Sequence, residues 1–160
     1  AHPTWVITNR AQDGARIAAV VRQLQEASGG HDVVLVMAGG NDVIRLTSFD
    51  DWRRDLSAAL RIARERGREV VVMPCGNVGH APFFWPPLSW WMSARSQQLH
   101  AITADVARET GARYVKLLLP KEEDPFAQAP SRMHAADGLH PSDEGYRAWF
   151  DMLTRQGDLG

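Results

Sequence analysis

The run DVVLVMAGGND, residues 32–42, changes character halfway along. Its first part, 32–38, is a continuous apolar run behind Asp32. That pattern belongs to a strand buried on both faces, as in a parallel sheet covered by helices. Its second part is two glycines, an Asn and an Asp. Glycines allow a tight backbone turn and close approach by a ligand. A buried strand that breaks into such a turn projects the Asn41 amide at the rim of a sheet. The same four residues also make an ordinary turn.

Working outward, the chain alternates between strand and helix patterns. TWVIT (4–8) is short, β-branched and aromatic, and predicts a strand. After Gly14, the residues Ile17, Val20, Val21 and Leu24 fall at helical spacing, and Gly29 and Gly30 stop the helix. Beyond the central run, Ser48 reads as an N-cap with Asp51 at the capping-box position. Trp52, Leu56, Ala59, Leu60 and Ala63 form one apolar helix face, closed by Gly67. EVVVMP (69–74) predicts another buried strand, and a long loop covers 75–92. A helix is expected over 93–110, a strand over 113–119 and a loop over 120–136. A last helix opens at Pro141 or Ser142 with Tyr146, Phe150 and Leu153 facing inward. Strands alternating with helices imply right-handed crossovers, and a mostly parallel sheet with helices on both faces. One domain over 1–160 is the reading, with function gathered in the loops after the carboxyl ends of the strands.

Composition narrows the partners. The 160 residues are 44% hydrophobic and 23% charged, ordinary for a globular domain. A formal net charge of −1 supplies no attraction to nucleic acid or to an anionic membrane. No apolar run has the length of a membrane span, and no signal-peptide pattern is present. Compartment is left open. The single cysteine, Cys75, excludes an internal disulfide and reads as a structural thiol. No HExxH motif or clustered Cys/His spacing suggests a metal.

Three loops carry chemistry. DGLHPSDEGY, from Asp137 to Tyr146, holds an Asp and a His three residues apart, just before a helix start. An Asp carboxylate can accept Nδ1–H of an imidazole, fixing its tautomer and leaving Nε2 to take a proton from a hydroxyl. The backbone N–H of Gly14, near a helix N-terminus, and the amide of Asn41 are two donors of the kind acyl transfer needs around its tetrahedral intermediate. Each piece has a plainer reading: Asp137 and Gly138 as a turn, Gly14 as a helix-entry glycine. The stretch PFFWPPLSWW (82–91) has five aromatics in ten positions. It reads either as a loop packed over the sheet edge or as an apolar wall for an acyl group or a membrane-facing lid. Phe83, Phe84 and His80 are its candidate substrate contacts, and His134 lies in a second rim loop.

In combination these segments resemble the SGNH, or GDSL-type, hydrolase superfamily. VLVMAGGNDVIRL is similar to its third block, with Asn41 in the place of the oxyanion-hole Asn. DGLHPSDEGY is similar to its fifth block, with Asp137 and His140 in the places of the triad acid and base. VITNRAQDGARI is similar to a divergent second block, with Gly14 as the oxyanion-hole Gly. The resemblance implies a flavodoxin-like three-layer α/β/α sandwich and serine-dependent hydrolysis of carboxylic esters through an acyl-enzyme. Acyl-ester, lipid or O-acetyl glycan substrates are expected, and no metal or organic cofactor.

One departure matters. The family's first block, a GDS motif bearing the nucleophilic Ser, has no counterpart here, and no GxSxG elbow replaces it. None of the serines present has the strand-to-helix setting that exposes a nucleophile. In the strand order 2-1-3-4-5 the missing first strand lies between the second and third. Its absence would leave unpaired backbone on apolar edges. The expectation is an N-terminally incomplete domain whose nucleophile comes from a missing N-terminal segment or a second chain. The alternative is a non-catalytic relative that binds an acyl or glycan ligand in the same cleft.

Overall fold

A computed structural model describes residues 5–157. Helix α1 (Ile17–Glu26) leads into strand β1 (His31–Ala38), short helix α2 (Gly40–Ile44) and helix α3 (Phe49–Arg66). Strand β2 (Gly67–Pro74) and a 3-10 turn at Val78–His80 precede the long helix α4 (Leu88–Thr110). Strand β3 (Arg113–Tyr114), helices α5 (Pro125–Gln128) and α6 (Pro130–Met133), and helix α7 (Asp143–Gly157) complete the chain.

The three strands are parallel in the order β1-β2-β3, with Val34 opposite Val70 and Val36 opposite Val72. The even-numbered side chains of β1 and β2 face helices α1, α3 and α4. Ile17, Trp52, Leu56, Leu60, Leu99 and Val106 close over Val34, Val36, Val70 and Val72 in the main core. Inside it the Trp52 indole N–H donates to the Thr103 hydroxyl at 3.2 Å, so its polar atom is satisfied. The odd-numbered face is covered by α7. Leu153, Trp149 and Met152 pack on Val71, Met73, Val115 and Leu117. Helices on both sides of a parallel sheet make a three-layer α/β/α sandwich.

The second face is covered over only part of its width. The register sets Leu35 beside Val71 and Met37 beside Met73, yet Val33, Leu35 and Met37 are exposed. On α7, Tyr146 and Phe150 are exposed too, where the sequence pattern puts them inside. Among the described residues, β1 also pairs on one side only. The sequence predicts a strand over 4–8. Thr4 lies outside the described residues, and 5–8 is irregular with Val6 and Ile7 exposed. A short apolar segment forms a strand only where a neighbouring ladder satisfies its backbone.

Two boundaries move for local reasons. Helix α4 starts at Leu88, ahead of the expected 93, with Pro87 as its N-cap residue. Exposed Trp90 and Trp91 in its first turns hide the helical period. The third strand pairs over only two residues. Beyond them the Lys116 N–H bonds the Gln156 side chain instead of a neighbouring strand, while Val115 and Leu117 stay buried. The expected loop 120–136 contains the short helices α5 and α6.

The two faces of β1 are therefore expected to differ sharply in urea unfolding of the 160-residue chain. Val36→Ala should cost about 1–3 kcal/mol, the range for deleting buried methyls. Leu35→Thr should change stability by less than about 0.5 kcal/mol, as at an exposed position. Equal costs at the two sites would contradict the uncovered face.

Candidate active site at the carboxyl rim of the sheet

Strand β1 ends in a turn built around Asp42. Gly39 takes φ 116°, a conformation that suits glycine, and a Cβ there would lie 3.3 Å from Leu99 Cδ2. The chain then winds through α2, and Leu46 in the left-handed region (φ 57°) returns it to Thr47. The Asp42 carboxylate is fully buried. It accepts the Ile17 N–H at 3.1 and 3.3 Å and the Thr47 hydroxyl at 2.9 Å. Burial raises its pKa above the ordinary 3.8, while the Thr47 and Ile17 hydrogen bonds pull it back down. Arg95 of α4 holds the same turn by donating to the carbonyls of Val43 and Thr47.

Asn41 is thereby brought beside the loop before α1. Its Nδ2 donates to the Ala15 carbonyl at 3.2 Å. Gly14 precedes that carbonyl, with φ 70°. An amide nitrogen carries two N–H groups, so anchoring one on Ala15 directs the other. Gly14 and Asn41, far apart in sequence, are neighbours in space.

Asp137 and His140 form a second unit. His140 Nδ1–H donates to Asp137 Oδ2 at 2.6 Å, and Asp137 Oδ1 accepts the backbone N–H groups of Leu139 and His140 at 2.9 and 3.0 Å. These bonds, the His140 side chain first, hold the Asp137 carboxyl down at about 2. The turn is closed at its base by the Ala135 N–H on the His140 carbonyl at 2.8 Å and by a bridge between His134 and Pro141. Both side chains of the pair are exposed, which leaves Nε2 of His140 accessible.

The loop after β2 touches this turn directly. The Phe83 N–H donates to the Gly138 carbonyl at 2.9 Å, and Gly138 takes φ 68°, where a Cβ would lie 3.3 Å from the Phe83 nitrogen. Phe83 is exposed beside the turn. Phe84 packs edge-on against it at 5.1 Å and reaches the main core. His80 is largely buried and bonded through both ring nitrogens. His134 is buried as well. Its Nδ1–H donates to the Pro130 carbonyl and its ring meets Phe126 edge-on.

Cys75 and four of the serines are poorly placed to serve as nucleophiles. Cys75 is partly accessible as a residue, yet burial of its sulfur, and next the Asp42 charge, push the thiol up to about 12. A thiolate is therefore disfavoured. Ser48, Ser57, Ser96 and Ser142 spend their hydroxyls on helix caps or local partners. Sequence reasoning missed Asp42, Arg95 and Asp124. Asp42 lies inside the quoted turn, but only its burial shows its task. The other two have no motif to mark them.

The described rim carries an Asp–His pair, an anchored Asn amide and a left-handed glycine. The model of the GDSL-like lipase/acylhydrolase family matches residues 1–148. The GDSL-like esterase Rv1075c of Mycobacterium tuberculosis is 30% identical over 125 residues, which are 76% of this chain and 38% of that protein. The chain thus spans well under half the length of this curated relative. Among solved structures, the acetylxylan esterase Axe2 from Geobacillus stearothermophilus superposes with a TM-score of 0.67 at 18% identity. The superposition covers 89% of this chain and 68% of that one. The lipase/acylhydrolase from Enterococcus faecalis gives 0.65 at 21% identity, over 92% and 73% of the two chains.

The hydrogen bonds to Asp137 set its titration. A carboxyl lowered in the folded state contributes stability above its unfolded value near 3.8, and that contribution is lost as pH falls through about 2. Carbon-13 NMR of the carboxyl carbons should show Asp137 still largely ionised at about pH 3, where an ordinary Asp is mostly protonated. His140→Ala should move its midpoint back toward the ordinary range. An unmoved midpoint would mean that the pair does not form in solution.

Proposed function

The chain belongs to the GDSL-like lipase/acylhydrolase family, and from that premise we propose that its rim site hydrolyses carboxylic esters through a serine-bound acyl-enzyme. The observation that carries the reading is the 2.6 Å bond from His140 to Asp137, at the same end of the sheet as the Asn41 amide. His140 Nε2 takes the proton of a serine hydroxyl as Oγ bonds to the ester carbon. The Gly14 N–H and the outward N–H of Asn41 receive the negative charge that develops on the carbonyl oxygen. The tetrahedral intermediate collapses, the ester C–O bond breaks, and His140 returns the proton to the departing alcohol. Water repeats the sequence to release the acid. Asp137 holds the imidazole tautomer and stabilises the imidazolium without taking the proton.

The serine comes from outside residues 1–160, on a strand that lies along the open side of β1. Three features support this. The odd face of β1 presents Val33, Leu35 and Met37 without a cover, α7 presents Tyr146 and Phe150 beside it, and β1 pairs on one side only among the described residues. A parallel strand there would end at the rim that bears Asn41, with its following helix over the uncovered side chains. A preceding segment of the encoded protein or a second chain would satisfy the same geometry. Exposed Phe83, fixed against the catalytic turn, is the proposed wall for the acyl group, with Phe84 behind it. Acyl esters and O-acetyl groups are the proposed substrate class.

In the protein as encoded, His140→Ala should lower the rate on p-nitrophenyl acetate about 10³-fold or more, by analogy with triads on other folds. A fluorophosphonate probe should label one serine outside 1–160, and the 160-residue chain alone should stay unlabelled. A near-normal rate for His140→Ala would refute the catalytic role. An unlabelled encoded protein that still binds acyl chains would make this a binding domain.

A further inference from the structure

The structure contains a second Asp–His pair, and it is built differently from the first. Asp124 is 3% exposed. Its Oδ1 accepts the Phe126 N–H at 2.9 Å, capping α5, and its Oδ2 accepts His80 Nδ1–H at 2.7 Å. With Nδ1 donating, His80 Nε2 accepts from the Asn77 amide at 3.1 Å, and Asn77 Oδ1 accepts the Gly79 N–H at 3.0 Å. Every polar atom of the imidazole is spent. A histidine so committed has no lone pair for a substrate and no free nitrogen for proton transfer.

What this pair joins is informative. His80 belongs to the loop after β2, and three residues later the Phe83 N–H donates to the Gly138 carbonyl, inside the turn that carries Asp137 and His140. Asp124 belongs to the loop after β3. From it α5 leads to Phe126, whose ring meets His134 at 5.2 Å, and His134 bridges Pro141 at the base of the same turn. Two rim loops therefore grip opposite ends of the Asp137–His140 turn, and the His80–Asp124 bond ties the two loops together. We infer that His80 and Asp124 are positioning residues, a buried clamp that holds the Asp137–His140 turn in register from both sides. The inference rests on the reading of Asp137 and His140 as the catalytic pair.

The physical case is one of stiffness. Asp137 and His140 are exposed, so packing does little to fix them. Precision must come from what the turn is attached to. Displacing a catalytic group by about 1 Å can cost 10²-fold, and losing an outer-shell partner of a functional histidine costs 10–100-fold in well-studied sites. The sequence favours His80 as a substrate contact. That role predicts a change in KM; a clamp predicts a change in kcat.

The test uses the protein as encoded, with p-nitrophenyl acetate. His80→Ala should lower kcat about 10-fold or more with KM changed less than about 2-fold. His80→Asn, whose amide reaches the place of Nδ1–H, should recover kcat to within about 3-fold of wild type. In folded His80→Ala, the Asp137 carboxyl should titrate higher than in wild type, a change that lost stability alone would not produce. Should His80→Ala fail to fold, the isosteric Asp124→Asn carries the same kcat and titration tests. An unchanged kcat, a rise confined to KM, or an unmoved Asp137 would overturn the clamp. His140→Ala separates the two readings. If it abolishes turnover while His80→Ala does not, only the clamp fails; if it leaves turnover intact, the catalytic assignment fails first.

Discussion

The rim of the sheet is organised by one buried carboxylate. Asp42 has no solvent exposure, and a charge in such a place costs several kcal/mol unless hydrogen bonds meet it. Here they do, and each comes from a different segment: the Ile17 N–H at the head of α1, and the Thr47 hydroxyl from the far end of the α2 turn. Because Ile17 heads α1, Asp42 acts as an N-cap across space, satisfying a helix-terminal donor that no local side chain reaches. The consequence is positional. Gly14 lies just before that helix and Asn41 just before that carboxylate, so the two donors are set side by side through a contact neither of them makes.

The sheet itself is unevenly clothed, and this bears on how the site is completed. Its even face is closed by three helices with Leu56, Leu60 and Val106 fully buried. Its odd face has only α7, which reaches β2 and β3 but leaves β1 bare. Val, Leu and Met at 33, 35 and 37 are the composition of a covered strand, not of a solvated edge. The same rim that collects Asn41 and the Asp–His turn therefore borders an edge suited to one more parallel strand. Among the described residues, the single-sided pairing and the uncovered side chains both belong to β1.

Much of this was legible in the sequence, and the exceptions have physical causes. The strands over 32–38 and 69–74, and the Ser48-capped helix, follow from local pattern and chemistry, although the first is buried on one face and not on both. The DxxH pair could be read because its bond spans one turn and needs no tertiary context. The Asn41–Ala15 contact bridges two distant loops, and no local pattern in the sequence shows it. What failed was any reading that presumed a neighbour. Residues 5–8 have strand chemistry but are irregular, and Tyr146 and Phe150 have core chemistry but are exposed. What was invisible was burial of polar groups. Nothing in the letters distinguishes Asp42 or Asp124 from the many surface acids, because their roles depend on which donors the fold brings to them.

The two Asp–His pairs place one chemical motif in two different settings. Both have a short Nδ1–H to carboxylate bond, 2.6 Å at His140 and 2.7 Å at His80. They differ in what remains. At His140 the carboxylate is held by local backbone N–H groups and both side chains of the pair are exposed. At His80 the far nitrogen is bonded to Asn77 and the carboxylate caps a helix inside a nearly closed site. The exposed pair has little packing to fix its position; the buried pair is fixed by bonds to both ring nitrogens. The Phe83–Gly138 backbone bond joins the loop that bears His80 to the turn that bears Asp137 and His140. On the proposed reading, rigidity is built at the buried pair and proton transfer takes place at the exposed one.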